Sequence, residues 1–260
     1  MDLLLRDRVV LVTGGANGIG AAIVRALAEE GAITVIVDRC ERSAWTLHAD
    51  LQARGAKVHV VVADLSQPET CKLAINETIL KFQRLDALVN NAGENDRVGL
   101  EHGSPGEFLA SVERNLSHYY NMAHYALAAL KKSRGSIVNI ASKTALVGQG
   151  DTSGYAAAKG AILALTREWA VELLPFDIRV NAVVPAEVMT PMYQQWLGGF
   201  PNAAAKLGHI VSRIPLGKRM TAPEEIASAV MFLISCKSGH TTGQHVFVDG
   251  GYVHLDRAVI

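Results

Sequence analysis

Two residues at the start of a helical stretch, Tyr155 and Lys159, are the first place in this chain where chemistry is legible. Four positions apart, they project from one face of a helix. A free phenol titrates near pH ~10 and is a poor base at neutrality. An ammonium beside it favours the phenolate, and each unit of lowering requires about 1.4 kcal/mol of differential stabilisation. The pair is therefore expected to bring Tyr155 down toward a working general acid–base range. Ser142 lies thirteen residues earlier, just past an apolar run, where its hydroxyl can hold a substrate oxygen and stabilise charge developing on it. Tyr-x-x-x-Lys alone also arises by chance as a surface pair, so the weight rests on what accompanies it.

What accompanies it is a phosphate-binding pattern. The first apolar run ends in Thr13-Gly14-Gly15-Ala16-Asn17-Gly18-Ile19-Gly20 and passes into a helix. Glycines there let the backbone approach a pyrophosphate, and the helix start supplies N–H donors. The spacing is G-x-x-x-G-x-G, and Gly14, Asn17, Gly18, Ile19 and Gly20 are its candidate contacts. Asp38, 24 residues after Gly14, ends the second apolar run. A carboxylate there accepts from ribose hydroxyls and repels a 2′-phosphate, which favours NAD. Arg39 next door can hold a phosphate, so NADP stays open. Asp64 and Leu65 are placed to meet an adenine, although a helix-capping loop explains them as well. Asn90-Asn91-Ala92-Gly93 follows the fourth apolar run, and Asn91, Ala92 and Gly93 join the cofactor set. The positive nicotinamide ring would push Tyr155 in the same direction as Lys159.

The elements that must position these groups alternate. Apolar runs at 9–13, 33–37, 58–62, 87–90, 137–140, 178–184 and 245–248 read as strands. Helices are expected at 18–30, stopped by Gly31, and after Ser66-Gln67-Pro68-Glu69, with Ser66 as N-cap. Others are expected over 106–132 and 154–174, and after Thr221, Pro223 and Glu224. Continuous apolar strands are buried on both faces, and strict alternation predicts a parallel sheet. The fold class is α/β: a single-domain, doubly wound Rossmann fold over 1–260 with helices on both faces. The stretch 187–215 breaks the alternation and reads as a substrate lid.

Bulk properties exclude other classes. With 25 basic and 25 acidic side chains and no basic stripe, nucleic acid is not an expected partner. Cys40, Cys71 and Cys236 read as free thiols of a reducing compartment. Asp2, Arg6, Asp7 and Arg8 interrupt any signal-peptide core, and no run is long enough to span a bilayer. A cytoplasmic enzyme without membrane attachment is expected. The nine histidines show no HExxH or paired ligand spacing, so no metal is assigned.

Together, Thr13 to Gly20, Asp64, Asn90 to Gly93, Asn115, Ser142, Tyr155, Lys159 and the 185–191 segment resemble the short-chain dehydrogenase/reductase family over nearly the whole chain. The resemblance implies seven strands in the order 3-2-1-4-5-6-7. It also implies that Asn115 interrupts its helix and holds a water in a proton relay to Lys159. Pro185, Val188 and Thr190 would clasp the nicotinamide carboxamide. The family usually has Pro-Gly where this chain has Pro185-Ala186. Homo-oligomers, commonly tetramers, are implied through the two long helices, with the 252–260 tail as a further contact.

The side chains near the reacting centre are polar: Glu94, Asn95, Lys143, Gln149, Asp151, Thr152 and Glu187. A steroid or acyl pocket would be mainly apolar, whereas a sugar needs many hydrogen-bond partners and an aromatic face. Trp196 is the candidate face. Plainer readings exist: Glu94 as a solvated loop charge, Trp196 as lid core. A finer similarity, to bacterial L-fucose dehydrogenases, covers 116–125, 142–145, 167–170, 185–191 and 249–258. It implies oxidation of the C1 hydroxyl of an aldose such as L-fucose to the lactone, with Ser142, Tyr155, Lys143, Glu187, Gln149, Thr152, Glu94, Asn95 and Trp196 around the sugar. The same fold acting on a keto-deoxy sugar acid, a polyol or a hydroxysteroid is the alternative, with Arg97 the best candidate for meeting a carboxylate. A non-catalytic dinucleotide sensor would need the glycine loop but not Ser142, Tyr155 and Lys159.

Overall fold

A computed structural model describes residues 2–256. The apolar runs form seven parallel strands: β1 (Val9–Thr13), β2 (Ile33–Asp38), β3 (Lys57–Val62), β4 (Ala87–Asn90), β5 (Ser136–Ile140), β6 (Arg179–Pro185) and β7 (His245–Val248). They lie in the order β3-β2-β1-β4-β5-β6-β7, as the resemblance implies. Every residue of β1, β4 and β5 is buried, which is why these strands show no apolar–polar alternation. The alternation is instead between two apolar layers. Val9 and Leu11 face α3 (Pro68–Phe82), α4 (Pro105–Ser133) and α5 (Ser153–Glu172). Val10 and Val12 face α1 (Gly18–Glu29), α2 (Glu41–Ala53) and α8 (Pro223–Ile234).

Helix ends account for most departures from expectation. The segment over α2 carried no explicit helix expectation, although alternation required a crossover there. Its weak amphipathicity, with only Ala44, Leu47 and Leu51 buried, hid it. Gln67, not Ser66, is the N-cap of α3, because Pro68 occupies the first helical turn and Ser66 instead gives its N–H to Asp64. Ala222 caps α8, which opens in the expected segment, and its N–H is taken by Glu225. Thr221 bridges to Val188. Helix α4 opens with a reciprocal Ser104–Glu107 box and runs unbroken through Asn115, so the expected interruption is not present. Within 187–215 lie two further helices, α6 (Pro191–Gly198) and α7 (Ala203–Ser212). The last part of the predicted tail contact, 257–260, lies outside the described residues. No helix among the described residues is long and apolar enough to cross a membrane.

At the N-terminal edge of the sheet, Asp86 holds β4 to β1. Its carboxylate accepts from Val9 N at 2.8 Å, Arg8 Nη1 at 2.9 Å and Arg84 Nε and Nη2 at 2.8 and 2.6 Å. Burial disfavours the charge, but the Arg84 bonds, the Val9 N–H and Arg8 outweigh it and hold the carboxyl below its ordinary range. The arginines are about half exposed, so screening weakens the ionic part. Asp86→Asn is expected to destabilise the chain by about 1–2 kcal/mol at pH 7. A carboxyl lowered on folding stabilises above its unfolded value and loses that contribution as pH falls. The difference between the two proteins in chemical denaturation should therefore shrink below pH ~4. An equal difference at pH 7 and pH 3.5 would assign the effect to shape alone.

Candidate active site

A cleft of about 790 Å³ opens at the C-terminal ends of the strands. It lies where β1 has β2 on one side and β4 on the other, the point at which strand order reverses. Nearly all the residues expected for cofactor line it: Gly14, Asn17, Gly18, Ile19, Asp38, Arg39, Asp64, Leu65, Asn91, Ala92, Gly93, Tyr155, Lys159, Pro185, Val188 and Thr190.

The phosphate loop is shaped by what its glycines exclude. Gly14 has φ +61°, and a Cβ at Gly20 would fall 2.0 Å from the Gly14 carbonyl oxygen. Gly20 thus shapes the turn without forming part of the cleft wall. Asn91 Nδ2 donates to Thr13 O and Gly14 O at 2.9 and 3.1 Å, and the Thr13 hydroxyl accepts from Asn91 N and Ala92 N. The first turn of α1 has no side-chain cap and no acidic residue, which leaves its N–H groups open to an anion. A Cβ at Gly18 would come within 3.3 Å of Thr190 Cγ2, so the loop and the start of α6 form facing walls. Asp38 accepts from Ala16 N at 3.0 Å and Cys40 N at 2.9 Å, tying β2 to the loop. The Ser66 N–H holds Asp64 below the usual carboxylate range. A close-approach glycine cradle, free helix donors and an acid at the end of β2 fit a dinucleotide.

Ser142 follows β5, and Tyr155 and Lys159 share one face of α5. The Lys159 amine lies 5.5 Å from the Tyr155 ring centroid but donates elsewhere, to Ile140 O at 2.8 Å and Tyr119 Oη at 3.0 Å. The expected lowering of Tyr155 does not occur in the chain alone. Burial of the hydroxyl pushes the phenol up to about 12, opposed by a hydrogen bond from Ser142. Burial also pulls Lys159 down to about 7, so the protein weakens the very cation that was to acidify the phenol. Sequence reveals both residue types but not how dry their surroundings are.

Tyr119 was missed. Its hydroxyl donates to Ile140 O at 2.9 Å and its side chain is fully buried. Its spacing from Asn115, one helical turn on the same face of α4, was the available signal. Asn115 itself is buried: Nδ2 donates to Ser111 O at 3.0 Å and Oδ1 accepts from Glu94 N at 2.9 Å. It joins the loop after β4 to α4 and lies behind the cleft wall. His118, also unforeseen, lines the cleft and is held neutral by burial, then by Lys159, its value down to about 3.

The residues expected around the substrate divide. Lys143, buried, and Glu187, partly buried, are ion-paired next to Ser142 but stand just behind the cleft wall, which Ser142, Ala186 and Tyr193 line. Tyr193 of α6 donates to the second Glu187 oxygen at 2.7 Å, and the Lys143 amine lies 4.3 Å from the Tyr252 ring centroid. Burial and the Glu187 charge push the Tyr193 phenol well up, keeping it a donor. Asn95 lines the cleft. Glu94 lines it too, with its carboxylate committed to Arg39 and Arg114. Thr152, buried, is the residue before α5, and Gln149 is exposed on the preceding turn; neither lines the cleft. Trp196 also stands off the cleft wall. Its ring packs edge-on against Tyr193 and Phe200 at 5.0 and 4.9 Å, with the Arg97 guanidinium 5.6 Å from its centroid. The plainer lid-core reading fits it, and Arg97 is engaged there.

Comparison with known proteins agrees with this geometry. Residues 14–253 match the family model described as enoyl-(acyl carrier protein) reductase. The L-fucose dehydrogenase of Bos taurus is 36% identical over 245 residues, 94% of this chain and 88% of its own length. The crystal structure of Cj0485 dehydrogenase superposes with a TM-score of 0.94 at 44% identity, covering 99% of this chain and 98% of that one. Ligand-free aldohexose dehydrogenase of Thermoplasma acidophilum gives 0.88 at 31% identity, covering 97% and 96%. The names of these relatives range from acyl to sugar substrates. On sheet topology, cleft and sequence alike, the chain belongs to the short-chain dehydrogenase/reductase family of nicotinamide-dependent oxidoreductases.

Proposed function

We propose that the chain oxidises the C1 hydroxyl of an aldose such as L-fucose to the lactone, with NAD as the preferred hydride acceptor. The observation that carries this reading is the partly buried Lys143–Glu187–Tyr193 cluster next to Ser142, which Tyr193 brings to the cleft wall. An acyl or steroid pocket has no use for an ion pair at its reacting end, whereas sugar hydroxyls can share its lone pairs and protons. The similarities to L-fucose and aldohexose dehydrogenases support the same class. Asp38 at the end of β2 favours NAD.

In this mechanism Ser142 orients the substrate oxygen and stabilises its developing charge. Tyr155 Oη takes the hydroxyl proton. A bound oxidised nicotinamide would supply the hydride acceptor and a positive charge that favours the phenolate. Lys159, fixed by Tyr119 and Ile140, holds a proton near neutrality and passes charge between the phenol and the interior. Asn115 continues that relay, as the family resemblance implies. Asn95, Lys143 and Glu187 hold the other hydroxyls, and α6 and α7 act as the lid, bringing Tyr193 to the sugar. We further read the chain as a cytoplasmic homo-oligomer, commonly a tetramer in this family, through α4 and α5, where Leu109, Tyr120 and Val171 are exposed.

The test is oxidation of L-fucose, L-galactose, D-arabinose and L-rhamnose with NAD and NADP, with Tyr155→Phe as control. At least one aldose should be oxidised in preference to simple alcohols, and the variant should fall about a thousandfold in turnover while still binding dinucleotide. Normal turnover by Tyr155→Phe would remove the phenol from the mechanism. No preference for any aldose would sink the sugar assignment.

Glu187→Gln is expected to raise the sugar KM about tenfold and leave the KM for NAD unchanged. An unaltered sugar KM would take Glu187 out of the pocket. Lys159→Met should abolish turnover yet raise the Tm. The lysine is lowered on folding, so its burial penalty is full below about pH 7 and is relieved as pH rises toward the unfolded value near ~10.4. The Tm gain should accordingly be larger at pH 7 than at pH 10; the opposite order would contradict a desolvated amine.

A further inference from the structure

We infer that Glu94 is a cofactor-specificity residue, which acts by withholding Arg39 from a 2′-phosphate. β2 and β4 flank β1, so Arg39, just past β2, and Glu94, in the loop after β4, stand on opposite banks of the groove. They meet across it at 2.8 Å, Nη2 to Oε2. The two ends of this bridge are held unequally. Glu94 is fixed to its own bank: Oε1 accepts from Arg114 at 3.2 Å, and its N–H is taken by Asn115. Arg114 in turn bonds Asp96 at 3.0 Å, which accepts from the Ser111 hydroxyl at 2.7 Å. Arg39 lies at the exposed end, 64% accessible. Glu94 is therefore the anchor and Arg39 the group that is held.

The consequence is electrostatic. Asp38 marks the ribose end of the groove, and a 2′-phosphate added there needs a guanidinium to meet it. Arg39 is adjacent in sequence, yet its guanidinium is drawn across the groove to Glu94 through Nη2. Arg39 is paired with Glu94, and Arg114 with Glu94 and Asp96, so an incoming phosphate would meet neither guanidinium unpaired. A bare ribose needs no guanidinium. Asp38 alone is the usual basis for reading NAD preference; here Glu94 supplies a second barrier, and the Arg39 that would suggest NADP is neutralised. The inference deepens the NAD reading above and is tested separately from it.

The experiment is calorimetric titration of the whole chain with 5′-ADP and 2′,5′-ADP, which differ only in the 2′-phosphate. The proteins are the unaltered chain, Glu94→Gln, Glu94→Asp, Asp38→Asn, the Asp38→Asn/Glu94→Gln double variant, and that double variant with Arg39→Ala. The unaltered chain tests the NAD reading by itself: tighter binding of 2′,5′-ADP would sink that reading and say nothing of Glu94. The Glu94 inference is read from the change in the ratio of the two dissociation constants. Glu94→Gln should shift it toward 2′,5′-ADP, by roughly tenfold in the Asp38→Asn background, the size of one charge-assisted phosphate contact. Arg39→Ala should cancel the gain, and Glu94→Asp, which keeps the charge, should leave the ratio near its starting value. A ratio unmoved by Glu94→Gln in both backgrounds overturns the inference. So does a gain that survives Arg39→Ala, because it would come from removing a charge and not from releasing the arginine. If the Asp38→Asn proteins no longer bind 5′-ADP, the single Glu94→Gln variant decides by the same ratio.

Discussion

The molecule is organised around an amine that has been taken out of water. Lys159 Nζ is buried under the cleft floor and donates to two oxygens, the Ile140 carbonyl and the Tyr119 hydroxyl. Neither is a carboxylate, so the desolvation of a cation is offset by dipoles alone. Its proton is consequently loosely held near neutrality. The C-terminal end of β5, the buried face of α4 and the first turns of α5 must all keep their places for those two bonds to exist. The same dryness acts on Tyr155, whose hydroxyl the protein by itself makes a weaker acid. Activation therefore cannot come from Lys159 alone. In the proposed mechanism it would draw on Ser142 and on the charge of an oxidised cofactor, which would couple proton transfer to a loaded groove.

How much of this was readable from the chain depends on the range of the interaction involved. The strands were legible because β1, β4 and β5 are buried throughout and therefore uninterrupted by polar residues. Gly14, Gly20 and Asn91 were legible because a tight turn admits few alternatives. Lys143 and Glu187 could be named as polar groups near the reacting centre, but not as partners of one another, since their meeting requires β5 and β6 to be neighbours. Glu94 could be named as a polar group of the site, but its ion pair could not, for a related reason. Its partner Arg39 is 55 residues away and is brought to it only by the sheet order. The direction of the Tyr155 shift could not be read from sequence, because charge pairing and desolvation oppose each other and only packing decides between them.

The groove has two ends with different constraints. At the phosphate end, backbone donors and the absent Cβ atoms of glycines set the geometry, and substitutions meet steric limits measured in tenths of an ångström. Next to Ser142, side chains from the segment after β6 and from Tyr252 crowd Lys143 and Glu187. Tyr155 and Lys159 are held by a long helix, whereas this cluster is held by shorter, more peripheral pieces.

Tyr252 lies beyond the last strand, on a turn that no element of the sheet leans on for its pairing. A change there alters the environment of the Lys143 amine without touching a single ladder of the fold.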